Sequence, residues 1–133
     1  MEVIDLDGHQ LSWNITGHIN KAFAKKSSFH NKARDLIRLI YPTMQILEEV
    51  PVYLRKSEIV YLDFYLPLNR KCLEVHGQQH YEFTPFYHSN KISFLRAQKR
   101  DRDKKQWCEL NGISYIELPY NKIDEWENIL ANN

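Results

Sequence analysis

Two acidic residues, Asp63 and Glu74, stand in segments whose apolar composition is otherwise typical of buried strands. If these segments pair as neighbouring strands, side-chain alternation allows the two carboxylates to lie side by side on one face of a sheet. Like charges in that position are destabilising, and burial adds to the cost unless a positive group compensates them. A hard divalent cation such as Mg²⁺ would compensate both carboxylates. An ion pair with Arg70 or Lys71 would do so without a metal, and the carboxylates alone leave both alternatives open.

A histidine-rich turn follows Glu74 directly. Gly77 allows the backbone to bend sharply there, which brings His76 and His80 close to the predicted carboxylates. Histidine can accept a proton from water, protonate a leaving oxygen or bind a metal ion, so both residues are candidates for acid–base catalysis. A zinc site built from these two histidines and His88 is an alternative, although the H-x3-H spacing falls on a turn and no cysteine pair completes it.

The segment from Lys91 to Leu110 predicts a long helix that ends at Asn111-Gly112. Its predicted sheet-facing stripe consists of Phe94, Gln98, Asp101, Lys105 and Cys108. Asp101 and Lys105 in the middle of that stripe predict a third carboxylate and an ammonium above the metal site, and a surface pair at i,i+4 spacing is the alternative. The other basic residues, predicted either to follow a phosphate backbone or to form a solvated face, are Lys91, Arg96, Lys99, Arg100, Arg102 and Lys104.

The elements that must position these residues follow from hydrophobic periodicity and turn signals. The predicted order is a hairpin of strands 3–6 and 10–13, a helix 29–41, strands 44–54, 59–66 and 71–75, the long helix, a strand 113–118 and a helix 123–130. This order predicts an α+β fold with a mixed sheet. Strict alternation places Leu62, Phe64 and Leu66 on one face of their strand. It also places Glu48 and Glu49 on opposite faces, so at most one of them joins the site without a bulge.

Length and composition limit the class of protein. A chain of 133 residues with 43% apolar and 13% aromatic residues predicts a single folded domain. The net charge of +1 does not by itself indicate a nucleic-acid partner. Because no apolar run is long enough to cross a membrane and the first ten residues do not resemble a signal peptide, we expect an intracellular protein without a membrane partner. Cys72 and Cys108 are expected to be buried free thiols.

Four segments, taken together and in order, resemble a known family. They are YLDFYLP from Tyr61, LEVHGQQHY from Leu73, RDRDKKQW from Arg100 and NGI from Asn111. The chain resembles the PD-(D/E)XK nuclease superfamily over about residues 28–120, and within it the very-short-patch-repair-like enzymes and EDxHD homing endonucleases. The resemblance implies a restriction-endonuclease-like core, with a central mixed β-sheet flanked by helices, in a nuclease domain 21–133 after an N-terminal β-hairpin extension 1–20.

The resemblance also implies roles for individual residues. Asp63 and Glu74 match the acidic pair of the family, His80 the active-site histidine and Asp101 the aspartate of the helix. For the first glutamate of the EDxHD pattern the match is Glu49. Some relatives carry that glutamate on the helix instead, at the position of His30 here.

One residue departs from the superfamily pattern. The motif lysine expected two residues after the glutamate is replaced by His76. The role of general base or charge stabiliser therefore falls to His76, to His80, which we favour, or to a helix lysine such as Lys105.

Together these observations predict metal-assisted hydrolysis of DNA phosphodiesters. Asp63 and Glu74, with Asp101 or Glu49, would hold Mg²⁺ or Mn²⁺, His80 would accept a proton from water, and Lys105 or Lys104 would stabilise the transition state. We expect an enzyme of homing, repair or junction processing, cytoplasmic or nucleoid-associated and encoded by a phage or mobile element; cutting both strands would need a homodimer or two visits. A nucleic-acid-binding module without catalysis is the alternative. The aromatic residues beside the site would stack on bases or form a small satellite core: Tyr81, Phe83, Phe86, Tyr87 and His88.

Overall fold

The computed structural model describes residues 1–15, 28–83 and 90–133. Its regular elements are β1 (Glu2–Ile4), β2 (Gln10–Ser12), α1 (Ser28–Ile40), β3 (Leu47–Arg55), β4 (Glu58–Leu66), β5 (Lys71–His76), α2 (Lys91–Leu110), β6 (Ser114–Pro119) and α3 (Trp126–Ala131). The last four strands named form one sheet in the order β3-β4-β5-β6, in which only β5 and β6 are parallel. β1 and β2 form a separate antiparallel hairpin. The predicted α+β class, mixed sheet and hairpin are confirmed.

Two apolar cores cover opposite faces of this sheet. Cys72 and Leu73 are neighbours on β5 and belong to different cores, as strand alternation requires. The first core contains side chains from the hairpin and from α2: Val3, Trp13, Trp107 and Cys108. The second contains side chains from α1 and α3: Ala33, Ile37, Trp126 and Leu130. The mixed sheet is therefore flanked by helices on both faces.

The hairpin is part of the first core. The Trp13 ring lies 4.9 Å from the Tyr65 ring and 5.1 Å from the Trp107 ring, and its indole Nε1 donates to the Pro51 carbonyl at 2.9 Å. Cys72 and Cys108, which belong to the same core, are both buried and free, as expected. The boundary predicted between residues 20 and 21 lies outside the described residues.

Side-chain alternation breaks at Glu49 and Asp63, which lie between the paired positions Glu48–Phe64 and Val50–Leu62 of β3 and β4. Leu62 packs in the first core, whereas Phe64 and Leu66 pack in the second. The prediction that these three residues share one face is therefore wrong. The physical reason lies in the backbone of Glu49, whose φ of 52° is left-handed and interrupts the regular pleat of the strand pair.

The helices begin and end close to their predicted limits, with one exception. The last α-helix begins at Trp126 rather than 123, because Tyr120–Glu125 forms 3-10 turns in which Lys122 has non-helical backbone angles. The helix α2 has its predicted bounds, and the Asn90 side chain caps it by accepting from the amide of Ser93 at 2.8 Å. None of the helices in the described ranges has the length and apolar character needed to cross a membrane.

Candidate active site

The Asp63 and Glu74 carboxylates lie between β4 and β5. The regular ladder of this pair extends from Leu66 to Phe64, which pairs with Leu73. At the next position Glu74 Oε2 accepts from the amide of Asp63 at 2.9 Å, and Asp63 Oδ2 accepts from the amide of Val75 at 2.9 Å. Each carboxylate thus accepts a hydrogen bond that a backbone carbonyl would accept in a regular strand pair. Strand alternation predicted the two carboxylates side by side, and they lie so.

The ammonium group that contacts this pair belongs to Lys104. Its Nζ lies 2.8 Å from Glu74 Oε1, and the lysine side chain is only 14% exposed. Burial alone would lower the pKa of Lys104, but the charges of Glu74 and Asp63 outweigh it and hold the pKa above its usual range. Burial and the charge of Glu74 raise the pKa of Asp63 well above its usual value. One ammonium therefore leaves this carboxylate pair incompletely compensated.

Lys105, the other candidate, is exposed on α2. The prediction that it lies on the sheet-facing stripe beside Asp101 is therefore wrong, and Lys104 takes that place. Positions three and four residues after Asp101 both lie on its side of a helix, so spacing alone did not distinguish the two lysines.

A buried ion pair joins α1 to β3 next to the carboxylates. Arg34 donates to Glu48 from Nε to Oε2 at 2.9 Å and from Nη2 to Oε1 at 2.8 Å. The imidazole Nε2 of His30 lies 2.8 Å from the same Oε1, and its ring stacks on Phe64 at 4.4 Å. Burial would raise the pKa of Glu48, but these bonds to Arg34 and His30 lower it below its usual value. Glu48 is thus an ionised acceptor that holds His30 in place.

Glu49 and His30, the two alternatives for the first acid of the EDxHD pattern, both lie beside Asp63. One ligand atom from each of the three residues can be chosen so that all lie within 4.8 Å of one another. His30 is buried, and the two carboxylates are partly exposed. Because alternation breaks at Glu49, the two neighbouring acids have different partners. Glu48 belongs to the ion pair, and Glu49 belongs to this cluster.

A second group of polar side chains surrounds His80 at the end of β5. Its Nδ1 lies 2.8 Å from Asp101 Oδ2, and its ring stacks parallel on that of His76 at 4.3 Å. The Nδ1 of His76 lies 2.5 Å from Glu117 Oε1. Burial would raise the pKa of Asp101, but the bond to His80 and the charges around it lower it. The bond from His76 likewise lowers the pKa of Glu117. A cavity of about 170 Å³ opens onto this group and is also lined by Tyr81, Gln98 and Arg102.

The three predicted metal ligands do not form one group in the described part of the chain. Ligand atoms of Asp101 cluster with those of His76 and His80, whereas Asp63 clusters with His30 and Glu49. The charge of Lys104 links the two groups, because Asp63, Glu74 and Asp101 all act on its pKa. Of the residues in the zinc alternative, His76 and His80 are each engaged by a carboxylate, and His88 lies outside the described residues.

Most of the predicted phosphate-binding side chains of α2 are exposed: Lys91, Arg96, Lys99, Arg100 and Arg102. Lys99 is engaged in part, since its Nζ lies 2.8 Å from Asp103, which also bonds Arg55. Arg100 and Lys104 line an open groove of about 520 Å³ together with Tyr61 of β4. Tyr81 and Phe83 are partly exposed, and the remaining predicted aromatic residues, Phe86, Tyr87 and His88, lie outside the described residues.

Sequence reasoning missed the pair of Arg34 with Glu48 and the contact of Glu117 with His76. The first left a signal, because His30 and Arg34 are four residues apart and share one side of a helix. An acidic residue in a strand with buried neighbours needed a partner, and this helix supplies it. Glu117 alternates with buried residues on β6 and is typical of a solvent-facing position, so its sequence gave no signal.

Comparisons with known proteins give partial similarities to viral proteins. The chain is 40% identical over 63 residues to Uncharacterized protein 307L of Invertebrate iridescent virus 6, which covers 47% of this chain and 32% of the viral protein. It is 39% identical over 59 residues to Uncharacterized protein 033L of Invertebrate iridescent virus 3, covering 44% and 30%. A third similarity, 38% over 64 residues to Uncharacterized protein 094L of Frog virus 3, covers 47% and 41%. No family model and no solved structure matches the chain. The chain thus spans less than half the length of each of these viral relatives.

Proposed function

We propose that this chain is a metal-dependent endonuclease that hydrolyses DNA phosphodiester bonds on a restriction-endonuclease-like fold. The observation that carries the proposal is the pair of carboxylates, Asp63 and Glu74, between two central strands with the Lys104 ammonium 2.8 Å from Glu74. The two carboxylates suit a divalent cation, and the lysine suits a phosphate group held beside that cation. The exposed basic side chains of α2 add attraction for a phosphate backbone that does not depend on base sequence.

The carboxylate pair fits a hard divalent cation. The raised pKa of Asp63 reflects burial beside the charge of Glu74, and one ammonium does not compensate two carboxylates. Oxygen ligands of this kind suit Mg²⁺ and Mn²⁺. When bound by Asp63 and Glu74, such a cation would offset charge on the scissile phosphate and make water a better nucleophile.

The protein's own residues would handle the remaining charge and the proton. Lys104 has three donors, and its raised pKa keeps it protonated, so it can donate to Glu74 and to a phosphate oxygen together. Asp101 is ionised and accepts from His80 Nδ1, which leaves Nε2 of that imidazole to take a proton from the attacking water. Asp101 therefore orients the base in this proposal, rather than serving as a third ligand.

A nicking assay on supercoiled plasmid and short duplexes tests the proposal. The wild-type chain is expected to convert plasmid to nicked circles with Mn²⁺ or Mg²⁺ and to stop on addition of a chelator. Binding should weaken steeply with salt, because phosphate contacts release counterions. Salt-sensitive binding with intact DNA under both metals would contradict the proposal and favour the non-catalytic nucleic-acid-binding module.

The Lys104→Met variant is expected to cleave about 10²- to 10³-fold more slowly in single-turnover experiments, because a positive group opposite developing charge is lost. Methionine keeps most of the apolar stem, so the packing of this 14%-exposed side chain is largely retained. Lys122→Met, which changes an exposed lysine outside the site, is the matched control. Lys105→Met should reduce the rate less than Lys104→Met, and the reverse order would contradict the assignment of Lys104.

The Asp101→Asn variant is expected to lower the plateau of the pH–rate profile by about 10²-fold or more. The ionised Asp101 carboxylate only accepts from His80 Nδ1, whereas an amide can donate as well as accept and no longer fixes which ring nitrogen carries the hydrogen. The lower plateau follows because the ring loses its ionised acceptor. Initial cleavage rates between about pH 5 and 9 measure the plateau. An unchanged profile would show that His80 is not the base.

A further inference from the structure

We infer that the site binds a first-row transition dication such as Mn²⁺ in preference to Mg²⁺, because His30 adds an imidazole ligand to Glu49 and Asp63. The inference rests on the proposed function, since Asp63 belongs to both the carboxylate pair and this cluster. Ligand atoms of the three residues lie within 4.8 Å of one another, close enough to share one ion. They come from three elements, α1, β3 and β4, which are fixed relative to each other by the cores.

The imidazole is held in place by the Glu48 carboxylate. Glu48 is ionised and only accepts, so the hydrogen of their 2.8 Å bond lies on His30 Nε2. Arg34 fixes Glu48 in turn, and Phe64 stacks on the ring at 4.4 Å. A carboxylate that accepts from the second nitrogen is the usual partner of a metal-bound histidine. His30 thus has the carboxylate partner that metal-binding histidines usually have.

The backbone at Glu49 supports the same assignment. A φ of 52° is uncommon for a residue with a side chain, and such conformations cluster at functional sites. At this position it separates the directions of Glu48 and Glu49, so that one carboxylate orients His30 and the other stands beside Asp63. A regular strand would deliver only one of the two acids to this end of α1.

The donor set decides which cation fits. Mg²⁺ prefers an octahedron of oxygen ligands and keeps several waters, so an imidazole is a poor ligand for it. Imidazole suits first-row transition metals, whose affinity for nitrogen-containing sites rises from Mn²⁺ onward, and carboxylates also suit Mn²⁺. One imidazole and two carboxylates therefore select a transition dication, for which Mn²⁺ is the spectroscopic probe.

Electron paramagnetic resonance of the whole chain with Mn²⁺, without nucleic acid, tests the inference. Wild type is expected to bind Mn²⁺ at least about tenfold more tightly than Mg²⁺ in competition, and the bound ion should show nitrogen modulation in electron spin-echo spectra. His30→Gln should remove the modulation and weaken Mn²⁺ binding about tenfold or more while changing Mg²⁺ binding little. His9→Gln, which alters an exposed histidine of the hairpin turn, is the matched control and should behave as wild type.

Two further measurements separate the loss of a metal ligand from a loss of folding. Because His30 is buried, thermal unfolding of His30→Gln must match wild type within a few degrees, and Glu49→Gln provides a second variant at a partly exposed position. Glu49→Gln should weaken Mn²⁺ binding while retaining nitrogen modulation. Bound Mn²⁺ without nitrogen modulation in wild type, or equal affinity for Mn²⁺ and Mg²⁺, overturns the inference.

The inference and the proposed function fail in different ways. If the protein bound Mn²⁺ through His30 but cleaved no DNA, the inferred metal site would stand and the proposed nuclease activity would be contradicted. If wild type and His30→Gln cleaved DNA equally, with no preference between the two cations, the nuclease activity would stand and the imidazole ligand would be contradicted.

Discussion

The Asp63→Asn variant is expected to lose cleavage by about 10³-fold or more and, at the same time, to unfold at a higher temperature than wild type. The loss of rate follows from losing a charged ligand, since metal stabilisation of the transition state amounts to several kcal/mol. The amide keeps the size of the side chain, and its oxygen can still accept from the amide of Val75.

The gain in stability follows from the direction of the pKa shift. Burial and Glu74 raise the folded-state pKa of Asp63, so the folded chain holds that proton more tightly than the unfolded chain does. The ionised group therefore opposes folding once the pH rises above its unfolded pKa, about 3.9. An uncharged asparagine removes this opposition at neutral pH, and differential scanning fluorimetry at pH 7 measures the result.

The opposite directions of the two effects separate a functional carboxylate from a structural one. A carboxylate that only anchored the strands would lose activity and stability together. Asp124→Asn, at an exposed position beyond β6, is the matched control and should change neither quantity. Glu74→Gln should also lose cleavage, but it breaks the 2.8 Å contact with Lys104 and is expected to destabilise the fold. If Asp63→Asn cleaved DNA at the wild-type rate, the active site would lie elsewhere.

The elements of this fold were readable from the sequence because each carries a local signal. Alternating apolar residues gave the strands, a Gly-containing turn gave the hairpin, and Asn111-Gly112 gave the end of α2. The side-by-side carboxylates followed from alternation and strand order alone. Alternation could not predict where it would be interrupted. The left-handed backbone at Glu49 carries no sequence signal, because the residue is neither glycine nor asparagine.

For the side chains around the carboxylates, too, the sequence predicts which element carries each residue but not which residue it contacts. Lys104 and Lys105 differ by one position on α2, and only the packing of Trp107 and Cys108 against the sheet fixes which lysine points inward. The contact of Glu48 with His30 and Arg34 joins residues 14 and 18 positions apart, through the packing of α1 on the sheet. Periodicity places each residue on a helix or strand, but the facing partner depends on tertiary packing.

The Arg34→Met variant is expected to reduce the free energy of unfolding by about 3–5 kcal/mol at pH 7, because it leaves a buried carboxylate without its main partner. Glu48 is only 3% exposed at its side chain, and Arg34 supplies most of its hydrogen bonds. Methionine replaces the apolar stem of the arginine, so the loss reports the ion pair. Urea unfolding followed by tryptophan fluorescence measures it, with exposed Arg38→Met as the control.

The pH dependence of this loss identifies Glu48 as its source. The pKa of Glu48 is lowered in the folded state, so its stabilising contribution is present above the unfolded pKa, about 4.3, and is lost as the pH falls through the folded value. In Arg34→Met that contribution is already missing, so the difference from wild type should shrink as the pH falls below about 4. A difference that stayed constant with pH would assign the loss to packing instead.

The double variant Arg34→Met with Glu48→Gln connects this ion pair to the metal site. Removing both charges should restore part of the stability lost in Arg34→Met, because no buried charge is left unpaired. The neutral glutamine, however, no longer fixes which nitrogen of His30 carries the hydrogen, since an amide can donate as well as accept. Affinity for Mn²⁺ is therefore expected to stay about tenfold or more below wild type even where stability recovers. Stability and metal affinity that recovered together would mean that Glu48 only holds the helix on the sheet.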